Sequence, residues 1–395
     1  MSHVWRRWLT LQRDLRRRLQ GRPLSRPQQI TQRPAPVRHP APIPVQVVER
    51  IEETARAVSL VLQACDGRPL PFVPGMFVTL IVDIDGVEAR RAYSLSGDHR
   101  HPERLMITVK KMEPGWVSAW LVDRLRCGDR LHLLAPEGRF TLQPQAQRQR
   151  QVLFIAAGSG ITPIMAMLSA LLAEEAQSQA QLFYANHAAD EVIFAERLAA
   201  LELHHGGRLQ VRHALSQTSA DGHGVCGRLD EARCRSWLQE AYGERLPQSL
   251  EVYMCGPLAL MQSLRGVLLD HGVEANRLHQ ENYQPMRTRP TTGQSAHALE
   301  IVDSAGRCWS GQVLPGQSLL EAGLALGAPM QHSCALGGCG QCRLRVLQGE
   351  VDMPEPNGLL PSEREQGYSL ACIAQARTPL RVLIDTAAVS AGFSV

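Results

Sequence analysis

The sequence of 395 residues lacks the long apolar run of a membrane span and the dense, regularly spaced cysteines of a secreted disulfide scaffold. Residues 152–173 come nearest to a span, but Gly158, Gly160 and Pro163 interrupt them where a strand should turn into a helix. The start of the sequence shows no apolar signal-peptide region. We therefore expect a reducing, cytoplasmic compartment for the ten cysteines.

Lysine is scarce and internal repeats of solenoid period are absent from the sequence. Among 42 basic residues only Lys110 and Lys111 are lysines, which indicates a compositional bias toward arginine and not a preference for phosphate recognition. With 44% hydrophobic residues, 32 Gly and 25 Pro, the composition excludes collagen-like, coiled-coil and wholly disordered proteins. The length is sufficient for two or three domains.

Positive charge is concentrated at the start of the chain. Residues 1–40 hold ten Arg and one acid, a balance of +9 that leaves −5 for residues 41–395. Apolar residues at helical spacing within residues 4–19 predict a basic amphipathic helix, and seven prolines in residues 21–44 predict an extended tether. We expect this appendage, residues 1–44, to dock on a membrane surface or a partner; a solvated extension and an Arg-rich presequence are the alternatives.

Three further segments differ in their hydrophobic pattern. Residues 45–148 have short apolar runs between Pro and Gly, which predicts an antiparallel β-barrel domain. Residues 149–283 alternate buried-type strands with helical stretches, which predicts an α/β domain with a parallel sheet. A polar linker, residues 284–297, leads to residues 298–390, which we interpret as an α+β domain. The predicted strands are 58–62, 76–82, 105–109, 130–134, 151–156, 182–185, 209–213, 251–255, 299–302, 343–346 and 380–384, and the predicted helices are 164–172, 258–269 and 318–326.

The spacing of four cysteines predicts the most specific chemistry. Cys334, Cys339 and Cys342 follow the pattern C-x4-C-x2-C, and Cys372 comes 30 positions later. This spacing is typical of plant-type [2Fe–2S] clusters, whose iron is held by four thiolates. Glycines such as Gly337 let the loop wrap tightly, so that backbone N–H groups reach the sulfides. A structural zinc site and four unrelated thiols are the alternative interpretations.

Two motifs in the barrel segment carry groups suited to a phosphate-bearing cofactor. One strand places Arg91 and Tyr93 on one face and Ser94 on the other. About twenty residues later, Gly115 and Ser118 begin a predicted helix that continues to residue 125, and its first N–H groups can hold a pyrophosphate. Each motif alone is equally typical of a surface arginine or an ordinary helix cap.

A glycine turn in the α/β segment predicts a nucleotide site. Gly158, Ser159 and Gly160 follow the first predicted strand, with Thr162 as the predicted N-cap of a helix and Pro163 at its first position. Such a turn presents backbone donors to a dinucleotide phosphate. It is not the G-x-G-x-x-G fingerprint, so a plain strand-to-helix turn is the alternative.

A second nucleotide element lies at the end of the fourth predicted strand of this segment. Cys255, Gly256 and Pro257 stand at the carboxyl edge of the parallel sheet, which is where α/β proteins bind ligands. The alternative is a buried, inert Cys255.

Taken in this order, the motifs over about residues 45–390 resemble the ferredoxin-NADP reductase superfamily fused to a plant-type ferredoxin domain of β-grasp fold. The resemblance implies that Arg91 meets the flavin phosphates, Tyr93 packs on the isoalloxazine ring and Ser94 approaches flavin N5. It implies that Gly115 and Ser118 favour FAD over FMN. The implied catalytic residues are Ser94 and Cys255, and the implied cofactor-binding residues are Arg91, Tyr93, Ser94, Val109, Lys110, Gly115, Ser118, Gly158, Ser159, Gly160, Thr162, Pro163, Cys255, Gly256 and Pro257. Residues 279–283 resemble the end of the family's nucleotide domain.

The same resemblance implies electron transfer from NAD(P)H through FAD and the [2Fe–2S] cluster to a partner oxygenase, hydroxylase or fatty-acid desaturase. If the N-terminal helix docks on a membrane, we expect the protein to work at the inner face of that membrane. NADH is favoured over NADPH, because residues 186–191 lack an arginine for a 2′-phosphate and Gln217 stands where NADPH-using relatives often have one. A reductase for a hybrid-cluster protein and a non-catalytic redox sensor are the alternatives. Nucleic-acid binding is disfavoured, because the basic charge is confined to one tethered segment.

Overall fold

The structure, a computed structural model, describes residues 42–113, 115–217, 225–281, 296–332, 337, 340–354, 357–359 and 361–384. All of them belong to the compact unit Arg38–Val395. Several sequence predictions lie outside the described residues: the N-terminal helix, nearly all of the tether, residues 284–295 of the linker, and the cysteines Cys334 and Cys339.

The first domain is an antiparallel barrel, as the sequence predicts. Its strands are β1 (Ile43–Thr54), β2 (Ala57–Ala64), β3 (Phe77–Ile84), β4 (Val87–Ser94), β5 (Leu105–Lys110) and β6 (Arg130–Glu137), in the order β4-β3-β6-β1-β2-β5. A bridge between Leu95 and Ile107 joins the two outer strands and closes the barrel. Helix α1 (Trp116–Asp123) follows β5, and it ends two residues before the predicted position. The fully buried Leu60, Leu80 and Leu133 pack in the barrel interior.

The second domain has a parallel sheet with helices on both faces. Its strands are β7 (Gln151–Ala157), β8 (Gln179–Asn186), β9 (Leu209–Leu215), β10 (Val225–Cys226), β11 (Glu251–Cys255) and β12 (Leu278–Glu281), in the order β10-β9-β8-β7-β11-β12. The helices are α2 (Ile161–Glu174), α3 (Ala195–His204), α4 (Glu231–Tyr242) and α5 (Leu258–Asp270). Neighbouring residues of β7 enter opposite cores, since Phe154 packs in one and Ile155 in the other.

The direction in which successive strands are added reverses at β7, because β8 lies on one side of it and β11 on the other. The carboxyl ends of these strands therefore flank a crevice, and open α/β sheets bind their ligands at such a switch point. The predicted glycine turn follows β7, and the predicted Cys255 element ends β11. The fold thus brings two motifs, almost one hundred positions apart in the sequence, to one edge.

The third domain has a mixed sheet with one helix packed in its core. The strands β13 (His297–Asp303), β14 (Cys308–Val313), β15 (Arg343–Gln348), β17 (Tyr368–Leu370) and β19 (Leu380–Ile384) take the order β14-β13-β19-β15-β17, and β16 (Val351–Asp352) pairs with β18 (Gln375–Ala376). Helix α6 (Leu319–Ala325) starts at a capping box between Ser318 and Glu321, and the short helix α7 (Pro361–Glu365) precedes β17. This confirms the predicted α+β class.

Candidate functional site

Strand β4 carries the predicted flavin motif at one end of the barrel. Ser94 is only 4% exposed and pairs in register with Phe77 of β3, while the preceding Tyr93 is half-buried. Burial raises the pKa of the Tyr93 hydroxyl above its ordinary value, and the nearby Arg91 opposes the shift only in part, so the phenol stays neutral. The Arg91 side chain is exposed, and its Nη1 donates to the carbonyl of Arg90 at 2.7 Å. The strand therefore presents a cation, an aromatic ring and a hydroxyl, which fits a flavin with phosphates.

The turn before α1 is shaped so closely that only glycine fits. A Cβ atom on Gly115 would lie 2.4 Å from the Met112 carbonyl oxygen and 2.7 Å from Ser118 Oγ. The same hydroxyl accepts a hydrogen bond from the Met112 N–H at 3.1 Å, so it fixes the loop to the first turn of the helix. Helix-terminal N–H groups have no partner within the helix, which makes this turn suited to a phosphate.

The nucleotide turn forms as predicted, but its capping differs from the prediction. Gly158–Gly160 make a 3-10 turn and α2 begins at Ile161, so Thr162 and Pro163 occupy the second and third helical positions. Thr162 is therefore not the N-cap: its hydroxyl donates to the Ser159 carbonyl at 3.0 Å. The 3-10 turn passes directly into the helix because Gly160 already has helical dihedral angles. Proline is tolerated in the first turn, where its missing N–H has no intrahelical acceptor.

Contacts with the neighbouring strands hold this turn in place. Gly158 has φ +53°, in the left-handed region, and its carbonyl accepts a hydrogen bond from the Tyr184 hydroxyl at 3.1 Å. A Cβ atom on Gly256 would lie 3.0 Å from Ala157 Cβ, and the buried Cys255 has its carbonyl against Gly160. Tyr184 was not singled out from the sequence. Its place inside a predicted buried strand could have indicated a structural role, because a buried phenol requires a hydrogen-bond partner.

A lysine of the flavin domain reaches the nucleotide turn. Lys110 Nζ lies 2.8 Å from Glu191 Oε2, and it lies 4.0 Å from a Cβ atom built on Gly158. The hydrogen bond from Lys110 is the main cause that lowers the pKa of Glu191. Glu191 is one of the two acids of the loop 186–191, and an unpaired acid there would repel a 2′-phosphate, but Lys110 offsets its charge. Val109 is fully buried in the barrel core, so only its backbone could contact a cofactor.

Two of the predicted cluster ligands lie side by side. Cys342 Sγ and Cys372 Sγ are 3.2 Å apart, and Cys342 is 5% exposed. This separation is well above the S–S bond length of a disulfide, about 2.05 Å, and it fits two thiolates of one metal centre. Gly337 and Gly340 have φ +81° and +75°, as a tightly wrapped loop requires. The structure shows no group of three or more metal-ligating side chains within its described residues, and Cys334 and Cys339 are outside them.

A contact between the flavin and ferredoxin domains could not be predicted from the sequence. Arg139 forms an ion pair with Glu363, which is 224 positions away in the chain. No local pattern marks either residue, because the pairing depends on how two domains dock.

A cavity of about 420 Å³ is lined by Arg148, Arg150, Glu251, Tyr253 and His279, among others. Glu251 begins β11 and Cys255 ends it, so this cavity lies at the amino ends of the strands, away from the nucleotide turn. Its arginines are already paired: Arg150 contacts the buried Glu175 and also Glu251. We therefore do not assign it to a cofactor.

Within the described ranges, no helix is both long and apolar enough to cross a membrane.

Comparison with known proteins agrees with this architecture. Residues 42–142 match the family described as oxidoreductase FAD-binding domain, residues 154–266 match the oxidoreductase NAD-binding domain, and residues 309–377 match the 2Fe-2S iron-sulfur cluster binding domain. In fold, phthalate dioxygenase reductase is similar over 89% of this chain and 100% of its own, with a TM-score of 0.58 and 22% identity.

Two curated relatives are similar over most of their length. One component of the Escherichia coli 1,2-phenylacetyl-CoA epoxidase is 33% identical over 77% of this chain and 85% of its own. The ferredoxin reductase component of 3-ketosteroid-9-alpha-monooxygenase from Mycobacterium tuberculosis is 32% identical over 83% of this chain and 91% of its own. The chain therefore belongs to the ferredoxin-NADP reductase superfamily, in the group of oxidoreductases whose FAD and NAD domains are fused to a C-terminal [2Fe–2S] domain.

Proposed function

We propose that this chain takes reducing equivalents from NADH and delivers them singly to the terminal component of an oxygenase, hydroxylase or fatty-acid desaturase system. The observation that carries the proposal is that the flavin domain contacts both of its neighbours beside the predicted motifs. Lys110 meets Glu191 beside the nucleotide turn, and Arg139 meets Glu363 beside the cysteine loop. A barrel that contacts both neighbours at these points is what transfer from nucleotide to flavin to cluster requires. We keep residues 45–148, 149–283 and 298–390 as the boundaries of the three domains.

Each motif has one role in this proposal. FAD, when bound, accepts a hydride and gives up electrons one at a time, while a [2Fe–2S] cluster carries one. Arg91 offsets the negative charge of the flavin phosphates, and the N–H groups after Gly115 hold the pyrophosphate. The half-buried Tyr93 and the buried Ser94 orient the ring and exclude water from one face.

The opposite face of the site belongs to the nucleotide domain. Gly158, Ser159 and Gly160 would hold the dinucleotide phosphates, with Thr162 and Pro163 fixing the first turn of α2 behind them. Cys255, Gly256 and Pro257 lie directly beside this turn and would border the nicotinamide. Since hydride transfer between two bound rings requires orientation and not an acid–base pair, these residues act by placement. Cys334, Cys339, Cys342 and Cys372 would supply the four thiolates of the cluster.

An oxygenase as acceptor is supported by what the relatives are named for: a phenylacetyl-CoA epoxidase, a ketosteroid monooxygenase and a glycine betaine monooxygenase. The proposal extends to membrane-bound hydroxylases and desaturases because the N-terminal segment is basic and amphipathic in sequence.

Reconstitution tests the proposal. The purified full chain, loaded with FAD and iron–sulfur cluster, is mixed with NADH and one candidate terminal oxygenase at a time, and substrate oxidation is measured. We expect turnover with one such component, and none with that component when Cys372→Ser replaces the wild-type chain. NADH oxidation with ferricyanide, which needs only the flavin, should survive in Cys372→Ser. A chain that binds FAD and the cluster but shows no NADH-driven reduction of either would instead be a redox sensor, and the proposal would be wrong.

A further inference from the structure

The ferredoxin domain is attached to the flavin domain by a two-point ion pair. Arg139 Nη1 lies 2.5 Å from Glu363 Oε2, and Arg139 Nη2 lies 3.1 Å from Glu363 Oε1. The Arg139 side chain is 29% exposed and the Glu363 side chain 14%. Paired N–H···O bonds fix a mutual orientation that a single contact cannot, and partial burial reduces screening by salt. The pair is therefore built to hold two domains in one arrangement.

The same guanidinium also lies against the cysteine loop. A Cβ atom built on Gly340 would be 3.4 Å from Arg139 Nε and 3.5 Å from its Cζ and Nη2 atoms. Gly340 lies two positions before Cys342, a predicted cluster ligand. Arg343, the residue after that ligand, forms a second ion pair with Glu363. Arg139 therefore lies beside the loop at a glycine and pairs with a carboxylate that Arg343 of the loop also binds.

On the flavin side, the barrel fixes the position of Arg139. Gly138 has φ +137°, and a Cβ atom there would lie 3.3 Å from Phe77 Cδ1. Phe77 pairs in register with Glu137 of β6 on one side and with Ser94 of β4 on the other. At about 4.8 Å between strands, the backbones of Glu137 and Ser94 are roughly 10 Å apart. Arg139 follows the end of β6, which is separated from Ser94 of β4 by the strand β3. From there its side chain reaches the loop that carries the predicted cluster ligands.

We propose that Arg139 is a positioning residue for electron transfer from FAD to the [2Fe–2S] cluster, because its ion pair with Glu363 and its place beside Gly340 hold the cysteine loop against the flavin domain. The inference rests on the proposed function for the identity of the two carriers. Each transfer across this contact would move one electron from reduced FAD to the cluster; two transfers, with the cluster reoxidised by the terminal component between them, would pass on both electrons of one hydride, whose proton would go to water. No covalent bond forms across the contact, so the rate depends on the distance and orientation that the contact maintains.

The test uses the full chain loaded with FAD and cluster, mixed anaerobically with NADH in a stopped-flow instrument. In Arg139→Gln we expect flavin reduction within about twofold of wild type and cluster reduction slowed on the order of tenfold, as loss of a charge-assisted contact implies. Hydrogen exchange gives a readout independent of activity: backbone amides of residues 340–346 and 361–366 should exchange faster in the variant, and those of β13 should not. Arg139→Lys, which keeps the charge but not the fork, should be intermediate in both measurements.

The control is Arg377→Gln, which removes an exposed ion pair with Asp352 in the same domain and should change neither measurement. In a double-mutant cycle, the double variant Arg139→Gln/Glu363→Gln should lose less than the sum of the two single losses, since both single changes remove the Arg139–Glu363 contact and only Glu363→Gln also removes the ion pair with Arg343. Unchanged exchange, unchanged cluster reduction, or equal slowing of flavin and cluster reduction would each overturn the inference. Failure of the proposed function would appear in the wild-type chain as no flavin reduction by NADH, and hydrogen exchange would then still decide whether Arg139 docks the loop.

Discussion

Gly160 lies directly against the backbone of Cys255. A Cβ atom on Gly160 would be 2.1 Å from the Cys255 carbonyl oxygen and 2.6 Å from its carbonyl carbon, which are separations that real side chains do not tolerate. The turn after β7 and the end of β11 therefore meet at the point where the strand order reverses. Any side chain at position 160 would separate the two nucleotide elements.

We expect Gly160→Ala to slow flavin reduction by NADH by about a hundredfold, because a displacement of about 1 Å in a site that works by orientation has that scale of effect. Overpacking should also destabilise the fold by about 1–3 kcal/mol. The control is Gly266→Ala in α5, where no atom lies within 4 Å of the new Cβ, and it should stabilise the helix by about 0.5–1 kcal/mol. Stopped-flow reduction and thermal unfolding measure both effects. If NADH reduced the flavin of the Gly160→Ala variant as fast as that of the wild type, the turn would not hold the nucleotide.

Cys372→Ser should abolish the cluster absorbance and the bound iron while FAD content and flavin reduction by NADH stay within about twofold of wild type, since a cluster with one thiolate missing loses a quarter of its protein ligands. Cys308→Ser is the matched control, because Cys308 is an exposed cysteine of the same domain without ligand spacing. Iron analysis and visible spectra give the result. If Cys372→Ser retained two irons, or Cys308→Ser lost them, the ligand assignment would be wrong.

The three domain classes could be predicted from the sequence because the spacing of apolar residues along a short segment distinguishes strands from helices. The predicted strands 251–255 and 380–384 agree with β11 and β19 at both ends. The cap at Thr162 was wrong because the sequence could not show that Gly160 takes helical dihedral angles and lets the 3-10 turn continue into α2. The pairs Lys110–Glu191 and Arg139–Glu363 were beyond sequence reasoning for another reason. Each pair joins two domains, and a contact between domains produces no repeating pattern in the sequence of either one.

Arg91→Ala should weaken FAD retention by about 1.5–3 kcal/mol, equivalent to roughly a tenfold to hundredfold higher dissociation constant, because the flavin phosphates lose a charge-assisted partner. The control, Arg104→Ala, removes an exposed arginine of the same barrel that pairs with Glu49 and should leave FAD binding unchanged. Fluorescence titration of the apoprotein with FAD measures the constants. Equal affinity in both variants would count against the role of Arg91.

We predict a higher kcat/KM for NADH than for NADPH. Gln217 is exposed and comes two residues after the end of β9, and its N–H donates to the His187 carbonyl at 2.8 Å, so its side chain starts beside the loop after β8. Gln217→Arg should raise kcat/KM for NADPH on the order of tenfold, since arginine can pair with a 2′-phosphate, and leave the value for NADH within about twofold. Gln210→Arg adds the same charge near the opposite end of that strand and should change neither value. Steady-state kinetics with both nucleotides measure these kcat/KM values. A higher kcat/KM of the wild type for NADPH than for NADH would refute the prediction.

Deletion of residues 1–40 should alter where the enzyme acts and leave its chemistry unchanged. The segment carries +9 of formal charge with tryptophan and leucine at helical spacing, and basic residues near an anionic surface contribute about 1 kcal/mol each at low salt. The proline-rich tether should uncouple it from the flavin site, so NADH oxidation with ferricyanide should not change on truncation. Co-sedimentation of the full chain with anionic vesicles should exceed that of the truncated chain, most clearly at low ionic strength, and should vanish with neutral vesicles. If both chains sediment alike and drive a membrane-bound oxygenase equally well, the segment is a solvated extension, and the membrane-partner part of the proposed function loses its support.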